Sequence, residues 1–425
     1  MNARKPPCTL IRAGRLFYGT GVPAIERAAV LVRDDRIEAV YRDPASPGAG
    51  PTDLRRPADA LLPDTEVIDL PDCTILPGLI DAHVHLCLPG DGTPFPRAVT
   101  EPRGVVHAIA VRNAATALGA GITTLRDCGG FPDVLFALRR AIDLGYARGP
   151  RLVLAGWPIT ITGGHCHYFG GEADGTDGVR HKVREAIKTG VDYIKAMASG
   201  GGTPGTQAWR PAFSRDELRA LVDEAHHLGY RAVLHCLCAE ATDFALDAGA
   251  DEIAHAWFLA GPDAPQRFEA RVADRIAETG VPVCPTMSVG HYVRAGIAHL
   301  ETPTPEDRAA ADRWARLDAE VAEIVSRLRQ RGVRFIAGSD AGWRFSPFDA
   351  LPRELELMAE AGCSARECLL AATGAAAAAL GLQAQIGTIR PGAAADLLAV
   401  DGRPDQDLAA LQRVRLVMRA GIRIV

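Results

Sequence analysis

Between Cys8 and about Asp72 the chain alternates apolar and polar positions in short runs, TLIRAGRLF, AAVLVRDDRIEAVYR and EVIDL, separated by turn signals and a Pro/Ala/Gly-rich loop. A period of two marks half-buried strands, so this segment predicts a small antiparallel sheet. From Cys73 to about Leu380 the rhythm changes. Eight apolar, β-rich runs (TILPGLIDAHVHL, ITTLRDC, RLVLAGW, DYIKAMA, RAVLHCL, EIAHAW, VPVCPTM and VRFIAGSD) alternate with helical stretches such as DGVRHKVREAIKTG, SRDELRALVDEAHHLG and AADRWARLDAEVAEIVSRLRQRG. Ser214, with Glu217 three residues on, predicts a capping box at the start of the second of these helices. The Ala-rich AATGAAAAALGL reads as a packing helix, and IGTIRPGAAADLLAV with VRLVMRAGIRIV returns to short alternating strands. Eight βα units predict an α/β chain whose residues 73–380 form a (β/α)8 TIM barrel. Residues 1–72 and 381–425 are expected to combine into a small β-sandwich domain.

Composition narrows the picture. The 425 residues are 48% hydrophobic and 23% charged, enough for a large core. A net charge of −5 gives no electrostatic reason to expect nucleic acid or an anionic membrane surface. MNARKPPCTLIRAGRLF lacks the apolar stretch of a secretory leader, and no run of ~18 apolar residues suggests a membrane span. The ten cysteines follow no framework spacing, which suits reduced thiols. Cys236 and Cys238 sit too close together for a zinc knuckle and read as small apolar fillers of a buried strand. The expectation is a cytoplasmic protein whose partner is a small molecule.

In a closed βα barrel, chemistry gathers at the carboxyl ends of the strands. The first run ends in His83-Val84-His85, whose period of two turns both imidazoles to one side. The fourth run carries Lys195, the fifth His235, the sixth His255, and the eighth ends in Ser339-Asp340. Each alone has an ordinary reading: a core histidine, a helix-capping Asp340, a Lys195 reaching to the rim. Together, donors from five strands at one rim form a costly cluster that metal ions would resolve. An ammonium beside cations would be repelled, so burial favours a neutral, nucleophilic Lys195 amine. Such an amine takes up carbon dioxide to give a carbamate, an anionic ligand able to bridge two metals at ~3.5–4 Å.

With these motifs the chain resembles the amidohydrolase superfamily, and within it the imidazolonepropionase-like group. The matching pieces are ILPGLIDAHVHL, GITTLRDCGG, ITGGHCHYFGGEADG, VDYIKAMASGGGTPG, LHC, IAHAW, AGSDAG and GTIRPGAAADLLAVDG, in order along nearly the whole chain. The resemblance implies two divalent ions, Zn²⁺ in the first place, with Mn²⁺, Co²⁺ or Fe²⁺ as alternatives. His83, His85 and Asp340 would hold one ion, His235 and His255 the other, and carboxylated Lys195 would bridge them. A bridging hydroxide would attack the substrate carbonyl, while Asp340 takes its proton and delivers it to the leaving nitrogen. Two departures stand out: Leu237 occupies a position where relatives often have histidine, and Ala254 stands in IAHA where IEHG is commoner. Both are expected to alter pocket chemistry without loss of metal.

The glycine-rich ITGGHCHYFGGEADG should form a loop at the active-site rim, with His165 touching substrate or its carbonyl oxygen and His167 and Tyr168 as further substrate contacts. Trp209, Trp343 and Arg344 are candidate pocket walls. The leading expectation is cleavage of the C–N bond of a small amide, of N-acyl amino acid or dipeptide type. Relatives that cleave mycotoxin amides, phenylureas and thiocarbamates make a urea- or carbamate-type hydrolase the nearest alternative. A cyclic-amide hydrolase and a non-catalytic barrel scaffold are the others. A homo-oligomer is the expected assembly.

Overall fold

Strands from both ends of the chain share one sheet. In this computed structural model, which describes residues 8–42, 64–261 and 267–425, β1 (Cys8–Leu16), β2 (Ile25–Arg33) and β3 (Arg36–Arg42) pair antiparallel. On the other side of β1, β4 (Glu66–Pro77) lies parallel to it. The order β14-β13-β12-β4-β1-β2-β3 is completed by β12 (Leu397–Asp401), β13 (Val414–Arg419) and β14 (Ile422–Arg423). All seven strands form one hydrogen-bonded sheet, where the sequence led us to expect two sheets in a sandwich. Leu76, Leu398, Val400 and Val417 join the largest apolar core of the barrel, so the sheet is packed onto it. The Pro/Ala/Gly-rich loop at residues 43–63 and the first seven residues lie outside the described residues.

The buried Cys73–Pro77 end of β4 leads directly into the barrel. Here β5 (Leu79–Val84), β6 (Ile122–Asp127) and β7 (Arg151–Leu154) form a parallel three-stranded sheet. A parallel four-stranded sheet follows: β8 (Ile194–Met197), β9 (Ala232–Cys236), β10 (Glu252–His255) and β11 (Val283–Cys284). Every residue of β5, β6 and β8–β11 is buried, as strands covered on both faces require.

The two sheets do not close into one continuous ladder. Between β7 and β8 the chain is joined through Ile159, whose amide donates to the Lys195 carbonyl (2.8 Å) and whose carbonyl accepts from Met197 (2.9 Å). The eighth predicted run, VRFIAGSD, lies between β11 and β5 without forming a regular strand. Its backbone bonds to both sides: Val283 donates to Arg334 (2.9 Å), Ala82 to Ala337 (3.0 Å) and Asp340 to His83 (2.8 Å). Asp340 itself has a left-handed φ of 54°, which interrupts the extended conformation where the chemistry begins. The architecture is therefore a TIM-type α/β barrel in two hydrogen-bonded arcs.

An ion pair crosses its interior. Arg126 of β6 makes a two-pronged contact with Glu252 of β10, Nη1 to Oε2 at 2.7 Å and Nη2 to Oε1, and its Nε donates to the Ala82 carbonyl at 2.7 Å. Both side chains are buried, so the pairing satisfies charges that would otherwise be costly at that depth. All ten cysteines are buried and unpaired; Cys236 is in β9, and Cys238 lies just past its end.

The predicted helices are present. Ser214 and Glu217 form the expected capping box of the helix Arg215–His227. Pro305–Gln330, the longest helix, carries a second box, Thr304 with Asp307. Of the Ala-rich stretch, only Gly374–Ala379 is a helix of its own; the first residue of the stretch, Ala371, ends the preceding helix Ala365–Ala371.

Candidate active site

The strand ends bring four imidazoles and a carboxylate to the floor of one cavity of about 310 Å³. His83 is the fifth residue of β5, and His85 follows its end; their ring centroids are 5.5 Å apart. His235 of β9 and His255 of β10 are 4.5 Å apart, and His83 is 5.1 Å from His255. Asp340 Oδ1 lies 3.2 Å from His85 Nε2 and 3.6 Å from His83 Nε2, close enough for attraction without hydrogen-bond alignment. One ligand atom each of His83, His255 and Asp340 falls within 4.8 Å of the others. That trio cuts across the division of ligands implied by the resemblance.

Packing keeps these positions narrow. At Gly338 any Cβ would stand 2.7 Å from the Cβ of His83 and 2.6 Å from the Cys284 sulfur, so only glycine allows the eighth run to back onto the first.

Burial sets the charge states. It holds the pKa of His83 well below its ordinary value, with Lys195 and His255 adding repulsion. His235 is lowered in the same way by burial, then by His255 and His165. His255 and His165 are lowered to about 3, again chiefly by burial. His85 is the exception: burial opposes its charge, but contact with Asp340 outweighs that and raises it. Burial pushes the Asp340 carboxyl up, and His85 more than offsets this, leaving it below the usual range. Neutral imidazoles facing a carboxylate are donors ready for a cation.

Within the candidate ligand set, three buried atoms find no hydrogen-bond partner: His83 Nδ1, Lys195 Nζ and Asp340 Oδ1. Lys195 is only 1% exposed and lies near enough to His83, His235, His255 and Asp340 to act on them electrostatically. An amine and a carboxylate oxygen left unpartnered at such depth are costly. The donor set and these orphaned atoms fit divalent cations held by imidazole and oxygen ligands.

The sequence reading missed the residues that orient this set. Thr286 Oγ1 bonds His255 Nδ1 at 2.7 Å and Thr203 Oγ1 bonds His165 Nδ1 at 2.8 Å, while the Gly129 carbonyl holds His85 Nδ1 at 2.9 Å. Gly200 O lies 3.1 Å from His235 Nε2. Asp81 accepts from the amides of His83 and Ser339 and, at 2.5 Å, from the Ser339 hydroxyl, tying the first run to the eighth. Asp127 receives the Leu86 and Gly129 amides. The carboxyls of Asp81 and Asp127 were visible in GLIDAHVHL and GITTLRDCGG as polar interruptions of apolar runs. The threonines left no comparable signal.

Above the floor the walls are apolar: Met197, Leu237, Val289, Val293 and three tryptophans, Trp257, Trp314 and Trp343. Leu237 thus adds hydrocarbon to the pocket. His165 lines the cavity, stacked on Trp343 at 5.9 Å and 13°. His167 and Tyr168 are not among its lining residues. Tyr168 packs on Phe169 at 4.6 Å and donates to the Cys166 sulfur at 3.4 Å. Trp343 and Arg344 do line the cavity, whereas Trp209 lines an adjoining one of about 610 Å³.

A TIM-type barrel with buried, neutral imidazoles and an aspartate at its strand ends defines a class of hydrolase scaffold. The chain belongs to the amidohydrolase family, whose model matches residues 74–423. Ochratoxinase of Aspergillus niger is 27% identical over 444 residues, covering 96% of this chain and 84% of the relative. An imidazolonepropionase of Rhizorhabdus wittichii is also 27% identical, covering 90% of each chain. The crystal structure of a Xaa-Pro dipeptidase with methionine bound in its active site superposes with a TM-score of 0.82, at 27% identity over 98% of this chain and 99% of that one. The protein is an enzyme, a hydrolase acting on C–N bonds. No helix among the described residues is long and apolar enough to cross a membrane.

Proposed function

We propose that the protein is a binuclear metal-dependent amidohydrolase cleaving small amides of N-acyl amino acid or dipeptide type. The observation that carries this reading is the convergence of His83, His85, His235, His255 and Asp340 with the unpartnered Lys195 amine. His83, His85 and Asp340 would hold one ion and His235 and His255 the second, with Lys195 as a bridging carbamate. Zn²⁺ suits these donors best. Bound there, the ions would polarise the scissile carbonyl and favour ionisation of water. Asp340 is the proton carrier, accepting at its free oxygen from the attacking water and returning the proton to the leaving nitrogen. His165, held at Nδ1 by Thr203, lines the cavity as a ring N–H donor to the substrate carbonyl. The apolar walls exclude water from the reacting bond.

The three-tryptophan wall favours a second reading, an aryl urea or carbamate substrate lacking any charge. Hydrolysis of N-acetyl amino acids, dipeptides and aryl ureas by the wild type distinguishes the two. Asp340→Asn should reduce kcat by ~10²–10⁴-fold on the accepted class. Near wild-type kcat in that variant would assign the proton transfer elsewhere.

A further inference from the structure

The catalytic cavity and the adjoining larger one share Gly202, Leu237, Trp257, Arg313 and Trp314 in their linings. They are two parts of one cleft. Its inner wall runs from His255 to Trp257, with ring centroids 5.4 Å apart, and on to Trp314 at 6.0 Å. Trp314 and Arg313 are neighbours on the helix Pro305–Gln330. The aromatic wall that begins at a candidate metal ligand therefore ends at a guanidinium.

Two arginines border the catalytic part, and their charges are not equivalent. Arg344 is neutralised by Asp307, Nη1 to Oδ1 at 2.7 Å. Arg313 makes no ion pair or hydrogen bond with any described residue. Asp340, on the floor, is the sole carboxylate among the described residues lining the catalytic part. In the adjoining part Glu320 is the one acidic residue among the described lining residues, and Arg316, one helical turn from Arg313, is again cationic. Among the described residues the junction thus carries an excess of positive charge beside a large apolar surface, an arrangement complementary to an amphipathic acid.

We propose that Arg313 is a specificity-determining residue that binds a free carboxylate of the substrate while Trp257 and Trp314 cover its apolar side chain. This inference rests on the amide-hydrolase reading and selects within it: N-acyl derivatives of apolar or aromatic amino acids are preferred to neutral amides of the same size. The planar guanidinium grips both carboxylate oxygens, and the long helix supplies it from outside the strand ends.

The test compares N-acetyl-L-phenylalanine with its N-methylamide on the metal-loaded enzyme, following acetate release, with calorimetric binding of the acid in parallel. The wild type should favour the acid by at least about tenfold in kcat/KM, mainly through KM. Arg313→Met should bring that ratio close to one and weaken binding of the acid, and Arg313→Lys should restore part of both. An acid-over-amide ratio unchanged in Arg313→Met overturns the inference and leaves the amide-hydrolase reading standing. If neither compound is cleaved, that reading fails for this substrate class, and calorimetry decides the inference alone. Binding of the acid that is weaker in Arg313→Met supports it, and equal binding overturns it.

Discussion

Thr286 shows how much of the site depends on residues that carry no chemistry of their own. A β-branched residue at φ 51° is strained, and His255, which it bonds, is also left-handed at φ 74°. The hydrogen bond between His255 Nδ1 and Thr286 Oγ1 fixes which imidazole nitrogen of His255 faces the cavity. Thr286→Val should therefore lower metal occupancy or kcat/KM by ~10–100-fold, as elemental analysis and kinetics would read. Buried acids show the same economy. Burial raises the Glu354 carboxyl to about 7, although the Met287 and Ser288 amides donate to it. Its folded pKa lies above the ordinary glutamate value, so the folded protein binds the extra proton. Stability from this group is full below about pH 4.5 and is lost as pH rises through 7. The difference in urea midpoint between wild type and Glu354→Gln should shift in the variant's favour between pH 5 and pH 8. A difference independent of pH would contradict this assignment. At this scale the six candidate ligand positions could be picked out because each interrupts an apolar run near a strand end. Thr286 and Thr203 were not, because nothing local distinguishes a threonine that orients an imidazole from one that merely fills a loop.

At the scale of elements, helices announced themselves through caps and periodicity, and Ser214 with Glu217 is the clearest case. The barrel strands were legible as runs but not as ladders. VRFIAGSD has the composition of a strand and occupies a strand's place, yet Gly338 and the left-handed Asp340 make it irregular. The long helix Pro305–Gln330 could be read from its pattern, but its contribution of Trp314 and Arg313 to the cleft depends on where it docks. The Arg126–Glu252 pair joins elements far apart in sequence and left no local trace. Glu252→Ala should destabilise the protein by about 3–5 kcal/mol in urea unfolding, since it strands a buried guanidinium. Arg126→Met combined with Glu252→Leu should recover most of that loss. A single-variant cost below about 1 kcal/mol would mean that the pair contributes little.

For the whole molecule, the terminal sheet was foreseen from matching alternation at both ends of the chain. Its single-sheet pairing was not, because the parallel register of β1 on β4 is a long-range contact. The sheet and the barrel share apolar core, so the strand ends that carry the site stand on a continuous packed base. That rigidity is what allows four buried imidazoles, Lys195 and Asp340 to be held together at depth. The most direct test of the account is the metal content of purified protein by elemental analysis, for the wild type and for Lys195→Ala. Two divalent ions per chain are expected in the wild type, fewer in the variant, with amide-hydrolase activity in the variant partly restored by short carboxylic acids. A wild-type chain without stoichiometric metal after growth in supplemented medium, or a fully active Lys195→Ala, would contradict it.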